Sequence, residues 1–307
     1  MMVNNMENCL AVKGRYVNVK RFEIHDGDGI RTTLFLKGCP LRCLWCHNPE
    51  GLSPKAELGY YPHKCIGCGE CVSACPQGAH AFENGKHVYN REKCVACGKC
   101  EEACLGNALV FYGKEITVGE ILPQLTEDRE FYEKSGGGVT VSGGEPLMQA
   151  DFVSALFLAL KEQGINTALD SSLFAKREAL EKVLPYTDTV LADVKAIDRE
   201  LHKKLTGVDN TVILDNLRYL NEIGKPVEIR IPYIPGKNEN ELPKIAEALS
   251  GLACIKKVKL LAYHDLSGTK YDSINMEYPM PGVAAPQKSL MQEKLQMLLD
   301  AGLNAEL

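Results

Sequence analysis

The chain has 307 residues, about two domains' worth, and with 45% hydrophobic and 24% charged residues it has an ordinary globular composition. Its net charge of −5 gives no electrostatic basis for nucleic-acid binding, and no run of 18 apolar residues predicts a membrane span. The amino-terminal residues are too polar for a signal peptide, so we expect a cytoplasmic protein. The unusual feature is thirteen cysteines.

The first predicted element is an apolar strand over residues 31–37, which leads into a loop with three cysteines. Residues 60–112 carry eight more cysteines and little hydrophobic periodicity. We expect that stretch to fold around metal rather than around an apolar core. A helix then begins at Thr117, where Thr117 and Glu120 match a capping box, and runs to about residue 134.

Short apolar strands alternate with helices in the rest of the chain. The predicted strands cover residues 139–142, 166–170, 189–193, 227–231 and 258–261. The predicted helices cover residues 149–163, 176–184, 215–223, 239–249 and 287–300. This alternation predicts about six parallel βα units, fewer than a closed eight-fold barrel needs. Six polar residues end or follow these strands, where parallel barrels carry their sites. They are Cys39, Glu145, Asp170, Asp193, Arg230 and His264.

Eight cysteines form two tandem runs with the bacterial ferredoxin spacing, C-x2-C-x2-C-x3-C. In two-cluster ferredoxins the fourth cysteine of each run ligates the other cluster. The ligands expected for one 4Fe–4S cluster are Cys65, Cys68, Cys71 and Cys104. Those expected for a second cluster are Cys94, Cys97, Cys100 and Cys75. A pair of zinc knuckles is the alternative, and two tandem runs of four argue against it.

The loop after the first strand holds Cys39, Cys43 and Cys46 in a C-x3-C-x2-C pattern with no fourth cysteine nearby. Three thiolates on a four-iron cluster leave one iron open to a substrate, by the logic that separates catalytic from structural metal sites. A zinc site completed by His47 is the alternative, although the adjacent Cys46 and His47 would point in divergent directions. The remaining Cys9 and Cys254 lack cluster spacing, and we expect no role for them.

This loop resembles the radical S-adenosylmethionine (radical SAM) superfamily, and the longer match CPLRCLWCHNPE is similar to its glycyl-radical-enzyme activating enzymes. Further family motifs follow in order over about residues 20–300. They include DGDGIR at 26–31, SGGEPL at 142–147, DVK at 193–195, IRIP at 229–232 and LAYH at 261–264. The resemblance implies an α/β fold, a partial (β/α)6 TIM-type barrel over residues 15–58 and 113–307. It also implies a ferredoxin-like domain with two 4Fe–4S clusters, inserted at residues 59–112.

The resemblance also implies roles for the polar residues. The candidate catalytic residues are Cys39, Cys43, Cys46 and Lys195. The candidate cofactor contacts are Trp45, His47, Gly143, Gly144, Glu145, Asp170, Ser171, Asp193, Lys195, Arg230 and His264. The loop of Glu145 would bind the amino group of SAM, and a monovalent cation would lie near Asp170 and Asp193. Taken alone, residues 142–145 also fit a tight turn, and each charged residue also fits a structural role.

The reaction implied by the resemblance is reductive cleavage of SAM to methionine and a 5′-deoxyadenosyl radical, which takes hydrogen from a glycine of a partner glycyl radical enzyme. Three 4Fe–4S clusters are expected, two of them relaying electrons from a flavodoxin or ferredoxin. The inserted domain is typical of activators of diol and hydroxyproline dehydratases and choline lyase, and we expect a monomer. Two alternatives are a radical SAM enzyme acting on a small molecule or another peptide, and an electron-transfer protein.

Overall fold

The computed structural model describes residues 7–307. The expectation about targeting rests in part on residues 1–6, which lie outside this range. The strands are β1 (Lys13–Glu23), β2 (Arg31–Leu36), β3 (Glu57–Tyr60), β4 (His80–Glu83), β5 (Lys86–Tyr89), β6 (Leu109–Tyr112), β7 (Lys114–Thr117), β8 (Gly138–Gly143), β9 (Asn166–Ser171), β10 (Thr189–Asp193), β11 (Val227–Tyr233), β12 (Ile255–Ala262) and β13 (Ala305–Glu306). The α-helices after residue 60 are α1 (Glu70–Ala74), α2 (Lys99–Glu102), α3 (Val118–Thr126), α4 (Arg129–Ser135), α5 (Ala150–Lys161), α6 (Arg177–Val183), α7 (Arg199–Thr206), α8 (Thr211–Glu222), α9 (Leu242–Ser250), α10 (Gly268–Ser273) and α11 (Lys288–Asp300).

One nine-stranded sheet organises the molecule, in the order β13-β12-β11-β10-β9-β8-β2-β1-β7. In this order every pair of neighbouring strands between β2 and β13 is parallel. At the other edge of the sheet β1 pairs antiparallel with both β2 and β7. The predicted parallel α/β sheet is therefore confirmed. The antiparallel edge strands and the two-residue β13 were not predicted from the sequence.

The sheet is strongly curved. Asp28, on the loop between β1 and β2, forms an ion pair with Lys257 of β12, with 3.3 Å between Oδ1 and Nζ. On a flat sheet β2 and β12 would lie five strand spacings apart, about 24 Å. The loop spans residues 24–30 and is too short to bridge that distance, so the sheet bends its two ends toward one another. No helix within residues 7–307 has the length and apolar character needed to cross a bilayer.

Helices cover the outer face of the sheet and form the core with it. In α5 the buried side chains recur at helical spacing, with Phe152, Leu156 and Leu160 on the face toward the sheet. They pack in one apolar cluster with Val139 and Val141 of β8. This packing holds the parallel strands in register and leaves their carboxyl ends free for polar groups.

The predicted helix over residues 117–134 is two helices, α3 and α4. Its capping box at Thr117 and Glu120 is present. The break falls at Asp128, whose carboxylate accepts hydrogen bonds from Arg21 Nε at 2.7 Å and Thr32 Oγ1 at 3.2 Å. These tertiary partners hold the chain at the point where one helix ends and the next begins.

Other helices also differ from the prediction, among them α10, which was not predicted. The helix predicted at residues 215–223 begins earlier, at Thr211, and α7 was not predicted. The sequence of α7 is strongly polar and buries only three side chains, His202, Leu205 and Thr206. The helix was missed because it has too few apolar residues to form an apolar pattern, although its buried side chains share one face.

Residues 57–112 carry two small antiparallel sheets, β3 with β6 and β4 with β5. The short helices α1 and α2 each follow a glycine with positive φ, Gly69 at 81° and Gly98 at 80°. The buried apolar cluster here is small and contains Cys71 and Cys100 beside Leu58 and Leu109. This agrees with a segment whose apolar core is too small to organise it alone.

Gly137 provides a test of the packing between the β1–β2 loop and β8. A Cβ atom on Gly137 would lie 1.9 Å from the carbonyl oxygen of Ile30, whereas one on Gly251 would meet no atom within 4 Å. We expect Gly137→Ala to lower the free energy of unfolding by about 1–3 kcal/mol. The control Gly251→Ala should change it by less than about 0.5 kcal/mol. Anaerobic urea unfolding measures both, and equal midpoints for the two variants would contradict this packing.

Candidate cofactor and catalytic site

A cavity of about 1020 Å³ lies at the carboxyl ends of the parallel strands. Three cysteines of the loop after β2 line it, and so do most of the predicted cofactor contacts. These are Cys39, Cys43, Cys46, Trp45, His47, Gly143, Gly144, Asp170, Ser171, Asp193, Lys195, Arg230 and His264. Glu145 is the predicted contact that does not line the cavity. The structure therefore brings together residues that lie more than 200 positions apart in the sequence.

Backbone hydrogen bonds join the cysteine loop to the turn after β8. The amide of Glu145 donates to the carbonyl of Gly38 at 2.7 Å, and the amide of Gly144 donates to that of Leu36 at 2.8 Å. A Cβ atom on Gly144 would lie 2.3 Å from the Gly38 oxygen, so this contact requires glycine. The two segments predicted to hold cofactor groups thus have a fixed relative position.

The thiols of this loop are strongly shifted toward the neutral form. Burial raises the pKa of Cys39 and Cys43 to about 12 and that of Cys46 to about 11. All thirteen cysteines lie within residues 7–307, and no disulfide joins any two of them. Since metal ligation requires thiolates, a bound cation would compensate the charge that burial disfavours. The donor set therefore fits an iron–sulfur cluster.

Glu145 is completely buried and is engaged by the protein itself. Its carboxylate accepts hydrogen bonds from Ser171 Oγ at 2.7 Å, from the Ser172 amide at 2.9 Å and from the Leu147 amide at 3.1 Å. The Ser172 hydroxyl is a further donor. Burial raises the pKa of Glu145, and these hydrogen bonds oppose the rise. In this structure Glu145 fixes the end of β9 relative to the turn after β8.

Arg230 lies between two carboxylates beneath the cavity. Its guanidinium nitrogens are 3.0 Å from Asp170 Oδ2 and 2.9 Å from Asp26 Oδ1. Ser142 Oγ also donates to Asp170. Burial raises the pKa of Asp170 to about 6, although the neighbouring Arg230 works against this. Arg230 therefore joins the β1–β2 loop to the floor formed by β9 and β11.

Lys195 and Asp193 form a second ion pair at the cavity wall, with 2.6 Å between Nζ and Oδ2. Burial alone would lower the pKa of Lys195, but Asp193 and the Cys43 sulfur raise it overall. Both carboxylates predicted to lie near a monovalent cation, Asp170 and Asp193, thus already face a protein cation. The cation site stays a prediction.

Aromatic residues close the cavity on the side of β12. The rings of His47 and His264 stack with centroids 4.0 Å apart, and His47 Nε2 lies 3.1 Å from the His264 carbonyl oxygen. Burial lowers the pKa of His47, and His264 lowers it further. Trp45 is buried in an apolar cluster with Leu205 and Tyr263 and also lines the cavity.

The eight remaining predicted ligands line two smaller cavities. One is lined by Cys65, Cys68, Cys71 and Cys104. The other is lined by Cys75, Cys94, Cys97 and Cys100. Amide groups point at several sulfurs, with the Ala79 amide 3.3 Å from Cys75 Sγ and the Ala108 amide 3.2 Å from Cys104 Sγ. The two groups of four match the crosswise ligand sets expected from the sequence.

The polar residues that the prediction missed include Ser142, Ser172 and Asp26, which contact predicted site residues. Ser142 and Asp26 belong to motifs that the sequence made visible, and Ser172 follows the predicted Ser171. Their roles depend on which side chain they contact across the sheet. Local sequence carries no signal for those contacts.

Comparisons with known proteins agree with this geometry. The family model for the radical SAM superfamily matches residues 33–249. A (2S)-3-sulfopropanediol dehydratase activating enzyme from Klebsiella oxytoca is 42% identical over 94% of this chain and 93% of that protein. A choline trimethylamine-lyase activating enzyme from Oleidesulfovibrio alaskensis is 42% identical over 88% and 90%. A trans-4-hydroxy-L-proline dehydratase activating enzyme from Clostridioides difficile is 40% identical over 95% and 98%.

The open parallel sheet, with a C-x3-C-x2-C loop at the mouth of its cavity, has the site architecture of a radical SAM enzyme. The chain belongs to the radical SAM superfamily and, within it, to the activating enzymes of glycyl radical enzymes. Membership implies a 4Fe–4S cluster and SAM as cofactors, and the three cysteines that line the cavity fit the ligand set of such a cluster.

The hydrogen bonds of Glu145 lead to a prediction about cofactor affinity. In Glu145→Gln an amide NH2 replaces one carboxylate oxygen and meets donors, so the end of β9 loses at least one hydrogen bond, about 1–3 kcal/mol. We expect the Kd for SAM to rise about tenfold or more, measured anaerobically by calorimetry on the iron-loaded protein. Glu133→Gln, at an exposed position of α4, is the matched control. Unchanged affinity with unchanged iron content would contradict a positioning role for Glu145.

Proposed function

We propose that this chain binds SAM in the large cavity, with Cys39, Cys43 and Cys46 as cluster ligands, and acts on a glycine of a glycyl radical enzyme of the dehydratase or lyase type. The observation that carries the proposal is the convergence of three half-buried thiols and the Gly143–Gly144 turn on one cavity. When bound, the cluster supplies one electron that cleaves SAM to methionine and a 5′-deoxyadenosyl radical, which takes a hydrogen atom from the glycine.

The chain's own residues orient and isolate the reacting groups. The Gly143–Gly144 backbone packs directly against the backbone of Leu36 and Gly38, because neither residue has a Cβ atom, and this contact holds the turn at the cavity wall. The ion pairs of Arg230 and Lys195 give the cavity wall fixed charges that need no rearrangement during the reaction. The stacked rings of His47 and His264 form the wall of the cavity on the β12 side.

The proposed fold is a partial (β/α)6 barrel over residues 15–58 and 113–307, with a ferredoxin-like insert at residues 59–112. The ion pair between Asp28 and Lys257 across the open side of the sheet supports the barrel. The two four-cysteine cavities support an insert with two 4Fe–4S clusters. These clusters would relay electrons from a flavodoxin or ferredoxin to a monomeric enzyme, and a monovalent cation would lie near Asp170 and Asp193.

Replacing a single cysteine tests the proposed reaction. Cys43→Ala removes one cluster ligand, and we expect 5′-deoxyadenosine formation under anaerobic reducing conditions to fall at least 100-fold. The control Cys254→Ala removes a buried thiol outside the cavities and should keep activity within about twofold. Chromatography quantifies the nucleoside, and electron paramagnetic resonance detects the glycyl radical on the partner.

The outcomes separate the candidate functions. A glycyl doublet on the partner, absent when its radical glycine is changed to alanine, supports the proposal. Nucleoside release without a doublet on any glycyl radical enzyme would instead indicate a small molecule or another peptide as substrate. An iron-loaded wild type that never forms the nucleoside would indicate an electron-transfer protein.

The crosswise ligand sets give a spectroscopic prediction. Cys104→Ala should perturb the same paramagnetic resonance signal as Cys65→Ala, because both residues line one cavity. Cys75→Ala should perturb the signal that Cys94→Ala changes. The wild type should contain about twelve iron atoms, the number in three four-iron clusters. If Cys104→Ala and Cys94→Ala perturbed the same signal, each cluster would instead be held by the four cysteines of a single run.

A further inference from the structure

Two histidines of the small β4–β5 sheet are in direct contact. His80 Nδ1 and His87 Nε2 lie 3.0 Å apart with hydrogen-bond geometry, and the ring centroids are 5.1 Å apart. Neither ring belongs to the large cavity or to the proposed reaction there. The pair therefore has no role in the function described so far.

The pair lies between the two four-cysteine cavities. His80 lines the cavity of Cys94, and His87 lines that of Cys65. Aromatic contacts extend the pair in both directions, with Tyr60 4.5 Å from His87 and Tyr89 5.0 Å from His80 between centroids. A continuous row of four rings thus runs from one cavity to the other.

The outward nitrogens of the pair are buried and lack a partner among the described residues. These atoms are His80 Nε2 and His87 Nδ1. Two neutral imidazoles carry two N–H groups, and the bond between the rings uses one of them. The pair therefore has one N–H left to donate. Cys71 Sγ lies within 4.8 Å of a nitrogen of each ring, and His87 lines the Cys65 cavity, so the pair lies beside the sulfur ligands expected there.

A single metal ion held by Cys71, His80 and His87 is the competing explanation. Two histidines that bind one ion direct both lone pairs at that ion, whereas here the two nitrogens face each other with hydrogen-bond geometry. Cys71 also belongs to a complete set of four cysteines around its own cavity. The geometry favours the hydrogen-bonded pair.

We propose that the His80–His87 pair links the two cluster sites of the insert and that His87 donates its outward N–H to the cluster held by Cys65, Cys68, Cys71 and Cys104. This inference rests on the proposed cluster assignment. Hydrogen bonds to cluster sulfurs set the reduction potential, and a donor stabilises the more negative, reduced form. His87 therefore raises the potential of this cluster. Each cluster takes one electron from the external flavodoxin or ferredoxin, and the N–H stays on the ring throughout.

A matched pair of variants separates the two nitrogens of His87. In His87→Gln the side-chain amide reaches the Nε2 position, so the bond to His80 is kept and the Nδ1 donor is lost. In His87→Asn the amide reaches the Nδ1 position, so the donor is kept. Both variants are made in a parent protein, the full chain with Cys39, Cys43 and Cys46 changed to alanine. In this parent only the two clusters of the insert give a paramagnetic resonance signal. A redox titration followed by electron paramagnetic resonance measures each midpoint potential.

We expect His87→Gln to shift the reduction equilibrium of one cluster about tenfold toward the oxidised form. That shift is about 59 mV for a one-electron couple. The reduction equilibrium of the same cluster in His87→Asn should stay within about twofold of that in the parent. Equal potentials in the parent and His87→Gln, equal shifts in both variants, or iron loss in both would each overturn the inference. One bound zinc per chain that disappears in both variants would replace it with a metal site. A parent without about eight iron atoms would overturn the cluster assignment itself, and the inference with it.

Discussion

The convergence of three half-buried cysteine thiols on one cavity is the constraint on which the site depends. A buried thiol ionises poorly, as the raised pKa values of Cys39, Cys43 and Cys46 indicate, so the loop gains most from a cation that three sulfurs share. Such sharing requires an accurately held backbone. The hydrogen bonds from Gly144 and Glu145 to the segment before Cys39 meet that requirement, because they tie the loop to the rigid end of β8.

Charged side chains under the cavity act chiefly on one another. Arg230 connects Asp170 to Asp26, and Glu145 receives its hydrogen bonds from the protein. Buried charges are stable only when they are paired and hydrogen-bonded, and pairing also fixes their directions. A cofactor that binds above these residues therefore contacts dipoles and charges that folding has already oriented. The polar residues of the family motifs therefore serve folding and binding together.

The sequence was most informative where the chemistry is local. Cysteine spacing indicated both the three-thiol loop and the two groups of four, and short apolar strands predicted the parallel sheet. It failed where distant partners decide the outcome. Asp128 ends a helix because Arg21 and Thr32 hold it from another part of the chain. The burial of Glu145 likewise depends on serines at the end of a neighbouring strand, and no pattern within its own motif encodes them.

The pairing of β3 with β6 has a consequence for how this chain could change. Glu57 lies opposite Tyr112 in that antiparallel pair, so the polypeptide leaves the main fold and returns to it through a neck one strand spacing wide, about 5 Å. The entropic cost of closing a flexible loop between two fixed ends rises only slowly with its length, by about 0.6 kcal/mol for each doubling. The segment beyond the neck can therefore be lengthened, shortened or exchanged while β2 and β8 keep their places. Such a change would leave the large cavity at the carboxyl ends of the parallel strands intact.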